Sequence, residues 1–288
     1  MRDSESHFLE VRRLRYHLRR WPRAGAPKII FLHGWMDVSA SFQFVVDALR
    51  GEWDVYAPDW RGYGLSGWDR SDCYWFPDYL ADLDVLLQGI QKDGPVNLVG
   101  HSLGGNVACL YAGVRPQRVS KLVNLESFGL PPATPEQAPG RYSRWLDELR
   151  DPPGLKPYAD FHALAERLRK TNPRLTAEKA DFLARHWGRE EGGKVVLRSD
   201  PAHKIVNPML YRYEEVRACW QQVTAPVLWV DAAQSDTLQR MHLDARQHAE
   251  RRAAFRRLEY VTLPDAGHML HHDQPAAVAR LIERFLGG

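Results

Sequence analysis

Cysteine is scarce: the 288-residue chain has three, Cys73, Cys109 and Cys219. An odd number at wide spacings supports neither a disulfide framework nor a zinc cluster. Cys109 lies in an apolar helical stretch and reads as a small buried residue. Long apolar runs are missing too. Segments such as Ile29–Leu32 and Val227–Val230 fall far below the ~20 residues that cross a bilayer, so no stable membrane insertion is expected. The N-terminal stretch MRDSESHFLEVRR has no apolar segment of secretory type, and a cytoplasmic protein is expected. Charge of one sign is lacking. Lys and Arg total 39 against 36 Asp and Glu, a net +3 that is too weak to argue for a nucleic-acid partner. Neither internal repeats nor low-complexity segments occur.

What is present is an ordinary globular balance, 44% hydrophobic and 26% charged, which excludes a disordered chain. The length fits one large domain or a core carrying an insertion. Residues 8–21 alternate loosely between apolar and basic, as in an antiparallel hairpin with a solvated arginine face. Then come short continuous apolar runs: 28–33, 55–58, 96–100, 122–125, 227–230 and 260–263. Such runs mark strands buried on both faces of a parallel sheet. Helical patterns at 39–50, 76–92, 102–115, 237–255 and 275–286 separate several of them. Alternating strand and helix predict an α/β architecture, a mostly parallel sheet flanked by helices. Arginines at 251, 252, 256 and 257 read as a solvated helix face.

The interval 128–219 breaks the rhythm. After a proline-rich loop it shows helical stretches near 140–150, 160–171, 176–187 and 208–220, with almost no strand character. The division expected is therefore 1–127 core, 128–219 helical cap and 220–288 core. Its aromatic residues, among them Trp145, Trp187 and Tyr211, are candidates for a moderately apolar substrate pocket.

The strongest chemical signal is Gly100-His101-Ser102-Leu103-Gly104, a G-x-S-x-G pattern between a buried strand and an apolar helix. A strained turn there lifts the Ser102 hydroxyl above the sheet, and the glycines flank it where a Cβ would clash. Ser102 is the candidate nucleophile. His33-Gly34-Trp35 follows the first buried strand. Its Trp35 amide and the Leu103 amide are candidate oxyanion donors, while His33 reads as a brace for the loop. His268, after Gly267 and beyond the last strand, is the candidate base. His271, His272 and Asp273 lie nearby but lack metal-ligand spacing, and no metal is expected. For the acid that orients His268, Asp236 is preferred, in a loop beyond the strand 227–230. Asp231 at that strand's end and Glu126 at the end of an earlier strand are the rivals. The order Ser, Asp, His suits a hydrolase of this kind.

With HGW at 33–35, DWRGYGLS at 59–66, GHSLGG at 100–105, SD at 235–236 and GH at 267–268, the chain resembles the α/β-hydrolase fold superfamily over nearly its whole length. It is most similar to the serine hydrolase-like branch related to esterases and epoxide hydrolases. The resemblance implies Ser102, Asp236 and His268 as triad, Trp35 and Leu103 as oxyanion hole, and 59–66 as a structural turn. One departure stands out: the glycine usual in the acid loop is replaced in Asp231-Ala-Ala-Gln-Ser-Asp236. The resulting expectation is a cofactor-independent serine esterase acting on a small acyl substrate through an acyl-enzyme. Thioesterase, lactonase and carbon–carbon bond hydrolase share the constellation, and a slow-turnover ligand receptor is the alternative of another class. Serine at the elbow disfavours chemistry that needs a carboxylate nucleophile. The sequence leaves the oligomeric state open.

Overall fold

Five of the six apolar runs become inner strands of an eight-stranded sheet in the computed structural model, which describes residues 1–287; the sixth, 260–263, forms an edge strand with largely exposed side chains instead of one buried on both faces. The strands are β1 Glu5–Val11, β2 Leu14–Trp21, β3 Lys28–Leu32, β4 Asp54–Pro58, β5 Val96–His101, β6 Val119–Leu125, β7 Gly188–Glu191, β8 Lys194–Leu197, β9 Val227–Ala232 and β10 Leu258–Leu263. The helices are α1 Gln43–Ala48, α2 Phe76–Ile90, α3 Leu103–Val114, α4 Ala138–Arg150, α5 Phe161–Thr171, α6 Ala177–Trp187, α7 Tyr213–Trp220, α8 Thr237–Arg240, α9 Ala245–Arg252, α10 Leu270–Asp273 and α11 Pro275–Gly287. The order across the large sheet is β1-β2-β4-β3-β5-β6-β9-β10. The β1–β2 and β2–β4 pairs are antiparallel and all the others parallel.

Strand alternation explains why the inner runs are largely apolar at odd and even positions alike, with Asn97 and Asn124 as polar interruptions. Ile30 and Leu32 of β3 face the core that α2, α3 and α7 cover. Ile29 and Phe31 face the opposite core, covered by α1 and α11. Leu98 and Val99 of β5, and Trp229 and Val230 of β9, divide in the same way.

Several local expectations need correction. The helix expected over 237–255 is broken into α8 and α9. His242 takes a positive φ of 52°, and Asp244 then caps a new start with Gln247 reciprocating. Arg251 is not on a solvated face. It is buried, stacked 4.3 Å from the Tyr213 ring centre, and donates to the carbonyls of Phe128 and Leu130. The segment between β6 and β9 is also not wholly helical: β7 and β8 pair as a hairpin. Its two-residue turn is Gly192-Gly193, both at positive φ, the chemistry a tight hairpin requires. With α5 and α6 the hairpin encloses a small core of its own, including Leu164, Leu183 and Val195.

The 59–66 turn holds this insertion onto the sheet. Gly64 N donates to Arg198 O (2.8 Å), and Asp200 N to Gly62 O (2.8 Å). The turn is fixed by buried Asp59, which accepts from Ser39 N (2.7 Å), Leu65 N (2.9 Å) and His17 Nδ1 (2.7 Å). Burial would raise the Asp59 pKa, but the His17 contact and backbone donors outweigh it and hold it below its ordinary 3.8. Asp59→Ala should therefore cost on the order of 3–5 kcal/mol in denaturant unfolding, because His17 and two amides lose their acceptor. A depressed folded pKa contributes stability above the unfolded value and loses it as pH falls. The gap between wild type and variant should thus be full above pH 3.8 and narrow below it; a gap independent of pH would contradict this account.

Candidate active site

Ser102 stands between the end of β5 and the start of α3 with φ 51° and ψ −116°. A non-glycine residue at positive φ is strained, and here close packing enforces it. A Cβ on Gly100 would lie 2.5 Å from the Gly105 Cα, so α3 can sit this close to β5 only with glycine there. Ser102 N donates to Leu125 O (3.0 Å), and its carbonyl accepts from Ser127 Oγ (2.7 Å). The backbone is thus tied to β6, and the side chain is left free.

That side chain meets His268, whose Nε2 lies 3.1 Å from Ser102 Oγ. His268 Nδ1 lies 3.2 Å from Glu126 Oε2 and 3.1 Å from Thr237 Oγ1. Glu126 follows β6 directly, at φ 53°, and is 2% exposed. Its other donors come from the end of β9: Ala232 N to Oε1 (2.6 Å) and Ser235 Oγ to Oε2 (2.6 Å). A carboxylate buried this deeply needs such donors to stay charged.

The preferred acid, Asp236, is elsewhere. It is exposed at the start of α8 and paired with Arg240 at 3.0 Å, one helical turn on. Asp231 also points away from His268. It accepts from Trp229 Nε1 (2.7 Å) and the Tyr260 hydroxyl (2.8 Å), with His248 Nε2 at 3.1 Å. Sequence reasoning ranked Glu126 last. Two signals favoured it: a charge closing an apolar strand in Asn124-Leu125-Glu126, and the Asp236–Arg240 spacing of a helical ion pair.

The loop after β3 packs on the elbow, since a Cβ on Gly34 would approach Ser102 Cβ to 3.2 Å. His33 spends both ring nitrogens on this loop, one on Gly34 O (2.8 Å) and one accepting from Trp60 N (2.9 Å). The Trp35 indole donates to His203 O (3.2 Å). Leu103 opens α3, where the first helical amides have no intrahelical partner. Behind His268, the pKa of buried His101 is pushed well below the ordinary histidine value by burial and by the neighbouring His271 and His268. Asp37, His271 and His272 are buried together, with His271 Nε2 3.6 Å from Asp37 Oδ2. Asp273 instead receives Gly267 N (2.8 Å) and fixes the turn before His268.

A cavity of about 430 Å³ opens beside Leu103 and Trp35. Tyr211 lines it, as expected. Trp145 and Trp187 do not. Trp187 ends α6 and turns its indole to Ser41 Oγ (3.4 Å) under the insertion. Trp145 is half-buried on α4 outside the lining. Sequence reasoning missed Trp75, Phe76, Leu110 and Val216, which carry ordinary core signatures at helical spacing.

Residues 27–275 match a family model described as the alpha/beta hydrolase fold. The "Serine hydrolase-like protein" of Danio rerio is 27% identical over 280 residues, 92% of this chain and 82% of that protein. A "3-hydroxybutyrate-oligomer hydrolase" of Cupriavidus necator is 28% identical, covering 96% and 94%. Among solved structures, a "Thioesterase Domain From Curacin Biosynthetic Pathway" superposes with a TM-score of 0.87 at 26% identity, over 97% of this chain and 99% of that one. The two carboxylates can be told apart by mutation. Near pH 8, above the ordinary histidine value of about 6.5, Glu126→Gln should lower kcat on acyl esters by roughly 10²–10⁴-fold with KM little changed. Thr237→Val, which removes the Oγ1 contacts with His268 Nδ1, Ser235 Oγ and Arg240 Nη2, should cost about fivefold. Asp236→Asn should be nearly silent; a larger loss there than at Glu126 would restore the other acid.

Proposed function

Because the chain belongs to the alpha/beta hydrolase fold family, we propose that it is a serine hydrolase of carboxylic ester bonds, with Ser102, His268 and Glu126 as triad. The observation that carries this reading is the unbroken chain from Ser102 Oγ to His268 Nε2 (3.1 Å) and from His268 Nδ1 to Glu126 Oε2 (3.2 Å), starting on a strained elbow. His268 Nε2 takes the Ser102 proton as Oγ bonds to the acyl carbon. The carbonyl oxygen becomes an oxyanion, for which the amides of Leu103 and Trp35 are the proposed donors. The imidazolium then protonates the leaving group as its bond to the acyl carbon breaks. Water, deprotonated by His268, attacks the acyl-enzyme; the acid is released and Ser102 regains its proton. Glu126 orients the ring through Nδ1 and stabilises the imidazolium as it forms.

The insertion 128–219 acts as the cap, and Tyr211 is the member of the expected aromatic set that serves the substrate. The names of the relatives, an oligomer hydrolase and a thioesterase, fit acyl transfer to water from either an oxygen or a sulfur leaving group. No step requires a cofactor. Among the described residues no helix is long and apolar enough to cross a membrane.

A fluorophosphonate probe should label Ser102 in the folded protein, read by peptide mass. Ser102→Ala should lower turnover of p-nitrophenyl acetate by about 10³-fold or more while thermal unfolding stays within a few degrees of wild type. Tight ester binding without turnover in the wild-type protein would favour a receptor instead. Labelling at another residue would remove Ser102 as nucleophile.

A further inference from the structure

We infer that the apolar cavity is the acyl-chain site of this hydrolase, and that the leaving group faces a polar, open flank on which little selection is exerted. The inference rests on the proposed hydrolytic role of Ser102 and adds which half of the substrate is read. In the tetrahedral intermediate three groups radiate from the carbon bonded to Ser102 Oγ. The oxyanion turns to its amide donors, and the leaving atom must approach His268 Nε2 to be protonated. The acyl chain takes the remaining direction, away from His268.

The cavity lies in that direction. Its walls come mainly from α2, α3 and α7, which cover one face of the sheet, and from the loop before α7, with Trp35, Leu130, Arg141 and His203 completing them. Leu103 and Asn106 lead into it directly from the elbow, and Leu110, Met209 and Val216 continue it. The loop that carries His268 runs instead into α10 and α11, whose buried residues pack on the opposite face. The cavity lining runs from Trp35 to Trp220 and includes no residue from the 221–288 stretch that holds His268. The walls are dominated by aromatic and aliphatic side chains. His203, stacked between Tyr63 (3.8 Å) and Tyr74 (3.7 Å), is pushed down to about 3 by burial, so it presents a neutral ring there.

The flank beside His268 has the opposite character. Exposed Arg174 hydrogen-bonds exposed Gln234, and a Cβ on Gly267 would come within 3.2 Å of the same guanidinium. Exposed Asp236 and Arg240 pair on α8 next to Thr237. Hydrated charges of this kind offer an alkyl leaving group no desolvated wall. The substrate class read by the site is therefore an ester or thioester of a medium-length aliphatic acid, with the alcohol or thiol part held loosely.

Two ester series on the purified protein test this. With the p-nitrophenyl leaving group fixed and the acyl chain lengthened from acetate to decanoate, kcat/KM should rise by roughly three- to fourfold per methylene until the cavity is filled. With the acyl group fixed as hexanoate and the alcohol lengthened from methyl to decyl, kcat/KM should change by less than about threefold overall. Val216→Trp, which fills the cavity, should lower the octanoate-to-acetate ratio of kcat/KM by about tenfold or more. A steep rise with alcohol length, or a flat acyl series with measurable turnover, overturns the acyl assignment and leaves the hydrolase reading intact. Absence of turnover on every oxygen ester and thioester overturns both.

Discussion

A single buried carboxylate sets the geometry of the candidate site. Glu126 is 2% exposed, and an ionised group at that depth is tolerable only if donors converge on it. They arrive from two separate segments: Ala232 N and Ser235 Oγ from the end of β9, and His268 Nδ1 from the loop after β10. Satisfying Glu126 therefore gathers the C-terminal ends of β6, β9 and β10 into one place. The same constraint orients the imidazole, since its Nδ1 is turned to the carboxylate and its Nε2 is left facing Ser102. Glu126 N in turn donates to Val230 O (2.9 Å), so the acid is registered by the sheet itself rather than by a flexible loop.

Glycine packing supplies the second half of that geometry. The approach of α3 to β5 at Gly100 forces Ser102 into a backbone conformation it would not adopt alone, and the cost is met by the surrounding core. The elbow, its strand context and the His268 loop were legible in the sequence because each is a local pattern. A glycine pair around a serine, and a Gly-His after an apolar strand, report backbone requirements that short segments carry themselves.

The acid was not legible in the same way, and the reason is physical. Which carboxylate reaches His268 depends on the lateral order of β6, β9 and β10, which residue spacing does not encode. Asp236 looked suitable because of its loop, yet its neighbour at i+4 is Arg240, and an exposed pair four residues apart forms within one helical turn. The alanine that replaces the usual glycine in that loop was a further local sign that the loop had changed its role. The pocket shows the same limit. Trp145 and Trp187 are large and lie in the insertion, but helical phase turns Trp187 toward Ser41 and leaves Trp145 outside the cavity. Tyr211 reaches it from a loop that sequence periodicity had assigned to the start of a helix, whereas α7 begins only at Tyr213. The β7–β8 hairpin escaped notice because its strands are only four residues each, too short to stand out in an interval dominated by helical patterns.

The two faces of the sheet divide the labour proposed for the site. Period-two alternation gives every inner strand one set of side chains for each core, so helices on opposite faces pack independently. The elbow sits at the rim where both faces are accessible. From the α1–α11 side comes the histidine, whose position is locked by a polar network and by Asp273 at the turn before it. From the α2–α3 side comes the apolar cavity, partly lined by an insertion that is hydrogen-bonded to the 59–66 turn. Changes to the cavity lining need not disturb the hydrogen bonds of Glu126, because no residue is shared between the two. A fold arranged in this way can alter what it binds through α7 and the loop before it, while the hydrogen-bonded chain from Ser102 to Glu126 remains fixed by strand register.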